Sequence, residues 1–371
     1  MQPFLYNADS RQSTNQLFFN FLNHYMKTSI RLVSTTNMSQ EDWLRHRKLG
    51  IGASEVAVVL GLSPYKASIQ LFYEKVGEDL GFNIENLSKF LGKEQEPFLA
   101  TLWEFWDPKN PGHDQMIANY RAGRQIRRCK RVNAYAHNPA FPWLFVSLDR
   151  EINQHVDHNG VLRGNGALEL KTIGGYEADK WEAGFPPGYV VQVQTQIGVC
   201  EYEYGESAVM KDNRDYFVLP FESNATIFEA IVTQTKTFWD KVEEGRKIVT
   251  QRFEADRNFN RAAVDELTAA LQSLEPEPDG SDAFNSYLKE KYKIALPGER
   301  LGTPELLADA VAHKDAKDRI NKIEETKQLF ENKLKNFLGQ ESADSIDFGV
   351  NGYVSWKANK NGARVFLNKT K

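Results

Sequence analysis

The strongest constraint on how this chain folds is a single stretch in its first half. Two runs rich in β-forming residues, Trp143–Ile152 and Val161–Leu170, flank Asp157-His158-Asn159-Gly160. Asn and Gly tolerate positive φ, so this spacing predicts a β-hairpin. A turn centred on Asn159 sets Asp149 directly opposite Glu169. Strand alternation then adds Lys171 to the same face and sends Leu168 and Leu170 into a core. Opposed side chains have Cβ atoms about 4.5–5.5 Å apart, so the two carboxylates repel unless a cation lies between them. Magnesium accepts carboxylate oxygens at about 2.1 Å and keeps positions open for water and phosphate. A two-residue turn at Asn159-Gly160, or a slip at Gly164 or Gly166, would instead oppose Asp149 to Leu170. A solvated hairpin with a cross-strand charge pattern is the plain alternative.

Around this stretch the periodicity alternates between helix and strand, which predicts an α/β core. Short helices are expected over 40–77, broken at Gly50–Gly52 and Ser63-Pro64, and a longer helix over Leu87–Trp106. Further helices are expected over Pro187–Val199 and Asn224–Val249, with strands at Ser207–Lys211 and Asp215–Leu219. A short helix is read at Leu17–Met26, without an assigned role. Glu-Pro-Glu-Pro-Asp-Gly at 275–280 reads as a linker or exposed loop. A helix over 304–338 carries Ile320, Ile323, Phe330, Leu334 and Phe337 at heptad-like spacing, interrupted by Lys327. It can pack on its own domain or form a coiled contact with a partner. The tail reads as a hairpin, Ile346–Val350 and Tyr353–Lys357, turning at Asn351-Gly352. The expected division is an N-terminal extension 1–38, a core 39–250, and a helical accessory region 251–371 that ends in the hairpin.

Composition narrows the class. The chain has 371 residues, 26% charged and 41% hydrophobic, with net charge −4. That balance is ordinary for a globular protein and does not favour a chain coated in nucleic acid. There is no signal-peptide pattern and no apolar run long enough to cross a bilayer. Cys129 and Cys200 are the only cysteines, which excludes a disulfide framework. A cytoplasmic location, in a bacterial cell or a phage-infected host, is expected. Arg121, Arg124, Arg127, Arg128, Lys130 and Arg131 cluster before the core strands. This run can bind phosphates or simply form a solvated, charged edge. No G-x-x-x-x-G-K-[ST] motif exists, so no nucleotide requirement is expected.

A series of motifs in order carries a family resemblance. It begins at Trp43-Leu-Arg-His-Arg47, Ile51-Gly-Ala-Ser-Glu-Val56 and Gly61-Leu-Ser-Pro-Tyr65, and continues through Gly92-Lys-Glu-Gln-Glu-Pro97. It then runs through Asp149 and Leu168-Glu-Leu-Lys171 to Tyr189-Val-Val-Gln-Val-Gln194. Over roughly residues 40–220 the pattern resembles the lambda-exonuclease/YqaJ family of the PD-(D/E)xK nuclease superfamily. The resemblance implies a restriction-endonuclease-like core, a mixed central sheet flanked by helices, with a C-terminal helical and hairpin extension. It also implies roles for individual residues. Asp149, Glu169 and Glu96 would be metal ligands, with the Leu170 carbonyl as a further one. Lys171 would position the attacking water, and Gln192 would contact that water or the scissile region. Arg47 and Ser54 would bind a DNA phosphate. Glu94 is a rival to Glu96, and Ser54 can also be read as a helix cap.

The implied activity is magnesium-dependent hydrolysis of duplex DNA from a 5′ end, with manganese as a substitute metal and 3′ single strands as the product. The implied partners are DNA with a free end, a single-strand annealing protein and further copies of the chain in a trimer, without a membrane. An endonuclease or a nuclease of other polarity on the same core remains an alternative, as does a non-catalytic DNA-binding or assembly protein. The sequence departs from the family in having Arg150, where Gly often follows the first ligand, and in a longer stretch between Asp149 and Glu169.

Overall fold

The structure is a computed structural model that describes residues 30–78, 87–157, 161–174, 181, 184–294, 298–359 and 361–370. The expected helix at Leu17–Met26 and the turn residues 158–160 lie outside these. In chain order the elements are β1 (Arg31–Ser34), α1 (Gln40–Arg47), β2 (Ile51–Gly52), α2 (Ala53–Val59), α3 (Ser68–Val76), α4 (Leu87–Phe105) and α5 (His113–Arg121). Next come β3 (Cys129–Lys130), β4 (Ala134–His137), β5 (Leu144–Ser147), β6 (Arg150–Ile152), β7 (His155–Val156), β8 (Leu162–Arg163) and β9 (Gly166–Ile173). Then follow α6 (Pro187–Val199), β10 (Tyr204–Lys211), β11 (Asp215–Glu222), α7 (Ala225–Arg257), α8 (Arg261–Ser273) and α9 (Asp282–Lys291). The last elements are α10 (Pro304–Gln340), β12 (Ser345–Asp347), β13 (Gly352–Ala358) and β14 (Arg364–Thr370).

The central sheet has the order β11-β10-β9-β6-β3, and β10 runs parallel to β9 while its other pairings are antiparallel. Helices cover both faces, which is why β9, Gly-Ala-Leu-Glu-Leu-Lys-Thr-Ile, is buried over most of its length. Leu168 and Leu170 pack toward α4 with Leu99, Trp103 and Met210. Ala167 packs into the opposite core with Val193 and Ile197 of α6 and Phe228 of α7. Gly198 lets α6 and α7 approach closely, since a Cβ there would lie 2.4 Å from the Phe228 ring. The architecture is therefore the mixed sheet flanked by helices that the resemblance implies.

The expected strand Trp143–Ile152 is not one strand. It divides into β5, which belongs to a second sheet of order β1-β4-β5-β2, and β6 of the central sheet. The break falls at Leu148-Asp149, where the chain crosses from one sheet to the other. Beyond the break the register is the one set by a turn centred on Asn159. Arg150 faces Leu168, Glu151 faces Ala167, and farther along His155 faces Arg163.

The division of the chain falls between Lys293 and Ile294 rather than near residue 250. The reason is packing. Leu271 of α8 is buried in the α6–α7 core, and Phe284 and Tyr287 of α9 pack with Ile69 of α3. In the second unit, α10 packs on β13 near its C-terminal end, where Leu338 and Val354 are buried. Ile320, Ile323, Phe330 and Phe337 stay exposed. The tail is a three-stranded antiparallel sheet, β12-β13-β14, not a single hairpin. Its first connection is also longer than a two-residue Asn-Gly turn. Residues 349–351 form a 3-10 turn, and the Phe348 N–H donates to the Gly352 carbonyl at 2.8 Å. Gly349 and Gly352 supply the positive φ values, 64° and 94°. Among the described residues no helix is long and apolar enough to cross a membrane.

Candidate active site

The break between β5 and β6 determines what Asp149 does. The β6–β9 ladder stops at Arg150–Leu168, and one step further Asp149 lies opposite Glu169. No backbone carbonyl meets the next N–H of β9, so the Asp149 carboxylate takes it. Leu170 N donates to Asp149 Oδ2 at 2.8 Å. The side chain thus replaces a missing rung of the sheet and is fixed beside Glu169.

Glu169 is 2% exposed and fully engaged. Its Oε1 accepts from Lys171 Nζ and from Gln192 Nε2, both at 2.6 Å, and its Oε2 accepts from Gln196 Nε2 at 2.5 Å. The two glutamines lie one turn apart on α6, so one helix face presents both amides to the carboxylate. Both are buried. Gln194 points elsewhere and donates to the Glu222 carbonyl at 2.8 Å. Lys171 also lies 5.0 Å over the Tyr189 ring.

The charge balance of this group is uneven. Burial pushes the Asp149 carboxyl well above the usual carboxylate range, and Glu169 pushes it further against the opposing pull of Lys171 and the Leu170 N–H. Burial works against the Lys171 ammonium, but Glu169 and Asp149 outweigh it and raise its hold on the proton. Two carboxylates therefore share one lysine in a desolvated place, an arrangement that a divalent cation would relieve.

Glu96 of α4 lies close enough to raise the Asp149 carboxyl further. Its own carboxylate is bound by Arg150, whose Nη1 also reaches the Asp149 carbonyl. Among the described residues, no three acids, histidines or cysteines converge on one point able to hold an ion. The chain thus offers an acid pair, Asp149 and Glu169, which fits magnesium, an ion that commonly takes one or two carboxylates and keeps its waters. Glu96 joins only if Arg150 lets go. Its rival Glu94 is exposed. A cleft of about 570 Å³ opens over Asp149 and Glu96, with Lys93, Arg131 and Trp43 on its walls.

Arg47 and Ser54 meet in a smaller adjoining pocket of about 50 Å³, lined also by Tyr135, Ser147 and Gln192. Ser54 is not the helix cap. Gly52 holds that position, and its N–H donates to Glu55 Oε2 at 2.9 Å, which leaves the Ser54 hydroxyl on the pocket. Arg47 is held by Glu55 at 2.9 Å and lies 4.9 Å over the Trp43 ring. The Tyr135 hydroxyl is buried here without a partner, and burial pushes its pKa up to about 12, so it remains a donor.

Sequence reasoning gave four of these residues, Ser147, Gln196, Arg150 and Tyr135, no role in the site. Ser147 lies two before Asp149 on an alternating run, a spacing that could have revealed it. Gln196 is one helical turn after Gln192. Arg150 was visible only as a departure from the family pattern, and Tyr135 carried no local signal. The basic run before β3 divides in the fold. Arg127 turns inward to Glu206 at 2.7 Å, Lys130 pairs with Glu151 at 2.9 Å, and Arg121, Arg124, Arg128 and Arg131 stay exposed.

Comparison with known proteins adds a likeness. Residues 42–203 match the YqaJ-like viral recombinase domain. The uncharacterized protein YqaJ of Bacillus subtilis (strain 168) is 23% identical over 307 residues, spanning 82% of this chain and 80% of that protein. Among solved structures, an alkaline exonuclease from Laribacter hongkongensis is 17% identical. It covers 58% of this chain and 98% of its own, with a TM-score of 0.43. A phage related exonuclease from Haemophilus somnus 129PT is 9% identical and covers 54% of this chain and 98% of its own, with a TM-score of 0.34. The acid pair and the pocket beside it therefore lie within residues 42–203, the stretch that matches the YqaJ-like viral recombinase domain.

Proposed function

We propose that this chain is a divalent-metal-dependent deoxyribonuclease that degrades duplex DNA from a 5′ end and leaves 3′ single strands for phage-type recombination. The observation that carries the reading is the uncompensated pair Asp149 and Glu169 sharing Lys171, with the small Arg47–Ser54 pocket beside it. The family match, and relatives whose names describe exonucleases, support it.

Asp149 and Glu169 would hold magnesium, or manganese in its place, with the Leu170 carbonyl and a released Glu96 as further ligands. A bound divalent ion would polarise the phosphodiester and lower the pKa of a water. Lys171, already placed at Glu169, would orient that water and stabilise developing negative charge. The bond from Gln192 to Glu169 makes it a positioning residue rather than one that holds the water. Arg47, Ser54 and the Tyr135 hydroxyl would bind a terminal phosphate, because a pocket this small suits one oxyanion better than a continuous strand. The proposed partners are a DNA end, a single-strand annealing protein and further copies of the chain. Light scattering at working concentration tests the expected trimer, and a monomer would sink it.

The deciding experiment digests a linear duplex labelled separately at each end, beside a covalently closed circle, with magnesium and with EDTA. Loss of the 5′ label first, an intact circle and no reaction in EDTA are expected. A cut circle would replace the reading with an endonuclease on the same core. Loss of the 3′ label first would reverse the polarity, and activity in EDTA would overturn the metal.

A further inference from the structure

A second cavity lies on the opposite face of the central sheet from Glu169. Strand alternation puts Glu206 of β10 on the α4 side with Leu168, its partner across the parallel ladder. The cavity there has a volume of about 670 Å³. Its polar wall includes Arg127, Arg163, Lys109, His155, Glu206 and Glu222, and its apolar wall includes Trp106, Pro108 and Tyr204.

Arg127 is the unusual member. Its side chain is 4% exposed. Nη1 donates to Glu206 Oε1 at 2.7 Å, and the Trp103 indole occupies the other oxygen of Glu206 at 2.7 Å. The guanidinium lies 3.9 Å over the Trp103 ring. One edge and one face of the group are thus used, and the group is held rigidly. Yet Nε and Nη2 are buried without an acceptor. These two N–H groups form one side of the guanidinium fork and point the same way, the geometry that grips two oxygens of a carboxylate or phosphate. Arg163 repeats the pattern in the same cavity. It is held by Glu222 at 2.8 Å and by the Tyr204 ring at 4.6 Å, and its Nε is likewise buried without an acceptor. A buried donor left unsatisfied is costly, so a ligand that supplies the acceptors has a ready gain.

We propose that this cavity binds a nucleoside monophosphate, with the phosphate in the Arg127 fork beside Arg163 and the base along Trp106 and Tyr204. The volume falls in the range of small-ligand sites, and the aromatic and proline wall suits a planar base. Asp107 and Asp157 also face the cavity, which disfavours a polyphosphate. The choice of a nucleotide rests on the nuclease reading, since an exonuclease releases mononucleotides. The oxyanion fork does not depend on that reading.

The test is isothermal titration of the full chain with 5′-dAMP, with inorganic phosphate and with deoxyadenosine. It is run on the wild-type protein without metal, and on Arg47→Ala to remove the contribution of the pocket beside Asp149. Arg127→Leu would strand Glu206 and endanger folding. The informative variants are therefore Arg127→Lys, which keeps the charge but loses the fork, and Arg163→Ala. Saturable binding of 5′-dAMP is expected, with phosphate weaker and deoxyadenosine undetected. Added to Arg47→Ala, in which the pocket beside Asp149 no longer contributes, both changes should weaken it about tenfold or more. Binding that survives in both variants, or no binding of either phosphate compound, overturns the site. Equal affinity for phosphate and 5′-dAMP overturns the nucleotide and leaves the oxyanion. If DNA cleavage fails while fork-dependent binding persists, only the link to a nuclease product falls.

Discussion

Two buried acidic groups in this chain are built on opposite charge balances. Glu55, 6% exposed, meets two cations: Arg47 at 2.9 Å and the fully buried Lys75 at 2.7 Å. The Gly52 N–H adds a further donor to the same carboxylate. Burial alone would raise the Glu55 carboxyl, but Lys75 and Arg47 outweigh it and hold it below the usual range. At Asp149 the count is reversed. Two acids face one lysine, and the carboxyl is pushed up. A satisfied cluster holds α1, α2 and α3 together and asks for nothing more. An unsatisfied one stores repulsion that only a proton or an added cation removes, as is common where chemistry is done.

The sharpest break of this comparison is functional. Asp149→Ala and Lys171→Ala should each lower DNA cleavage by about 10³-fold or more while leaving the circular dichroism spectrum unchanged. Full activity in either variant would remove the site. The same kind of change at Glu55 should act on the fold instead. Glu55→Gln leaves Lys75 buried without its counter-charge, at a cost of about 3–5 kcal/mol, read as a lower urea midpoint. The pH dependence follows from the sign of the shift. The Glu55 carboxyl is depressed in the folded state, so its stabilisation is present above its unfolded value, about 4.3, and is lost as pH falls through the folded value. Glu55→Gln should therefore flatten the acid limb of a stability–pH curve, and an unchanged limb would show that the cluster contributes little.

What the sequence revealed divides along the same line. The Asp149–Glu169 register was legible because strand pairing is a local rule and a turn centred on Asn159 implies it, although a two-residue turn at Asn159-Gly160 would have implied the other register. The helices α6 and α7 were legible from periodicity, and Asn224 caps α7 as its residue type favours. The division of Trp143–Ile152 between two sheets was not, because nothing in a β-rich run states which neighbour it pairs with. The ties from Glu96 to Arg150 and from Arg127 to Glu206 join residues far apart in sequence, 54 and 79 positions. Such pairs are set by the tertiary fold and leave no periodic trace. Arg127 misled for this reason: in sequence it belongs to an exposed basic run, and in the fold it is the one member turned inward.

A subtler variant tests whether the repulsion at Asp149 is real. Asp149→Asn keeps the shape and can still accept from the Leu170 N–H, but it removes one of the two like charges. In EDTA it should melt higher than the wild type, by a gain on the order of 0.5–2 kcal/mol, even though it is inactive. Magnesium should then raise the melting temperature of the wild type and leave Asp149→Asn unmoved, because only a native state that binds the ion gains from it. A lower melting temperature for Asp149→Asn in EDTA would mean that the acids are not in conflict, and the contrast with Glu55 would disappear.

Arg47 belongs to both groups, so its variant draws the finest distinction. It holds one oxygen of Glu55 and also lines the pocket with Ser54. In Arg47→Ala the carboxylate keeps Lys75 and the Gly52 N–H, so the stability loss should be well below that of Glu55→Gln, about 1 kcal/mol. The loss of activity should depend on the end of the substrate, because the pocket can act only where a phosphate is present. Duplexes with a 5′-phosphate should be cut about tenfold more slowly than by the wild type, and those with a 5′-hydroxyl nearly as before. Equal losses on the two ends would assign Arg47 wholly to the Glu55 cluster, and the pocket would then have no claim on the terminal phosphate.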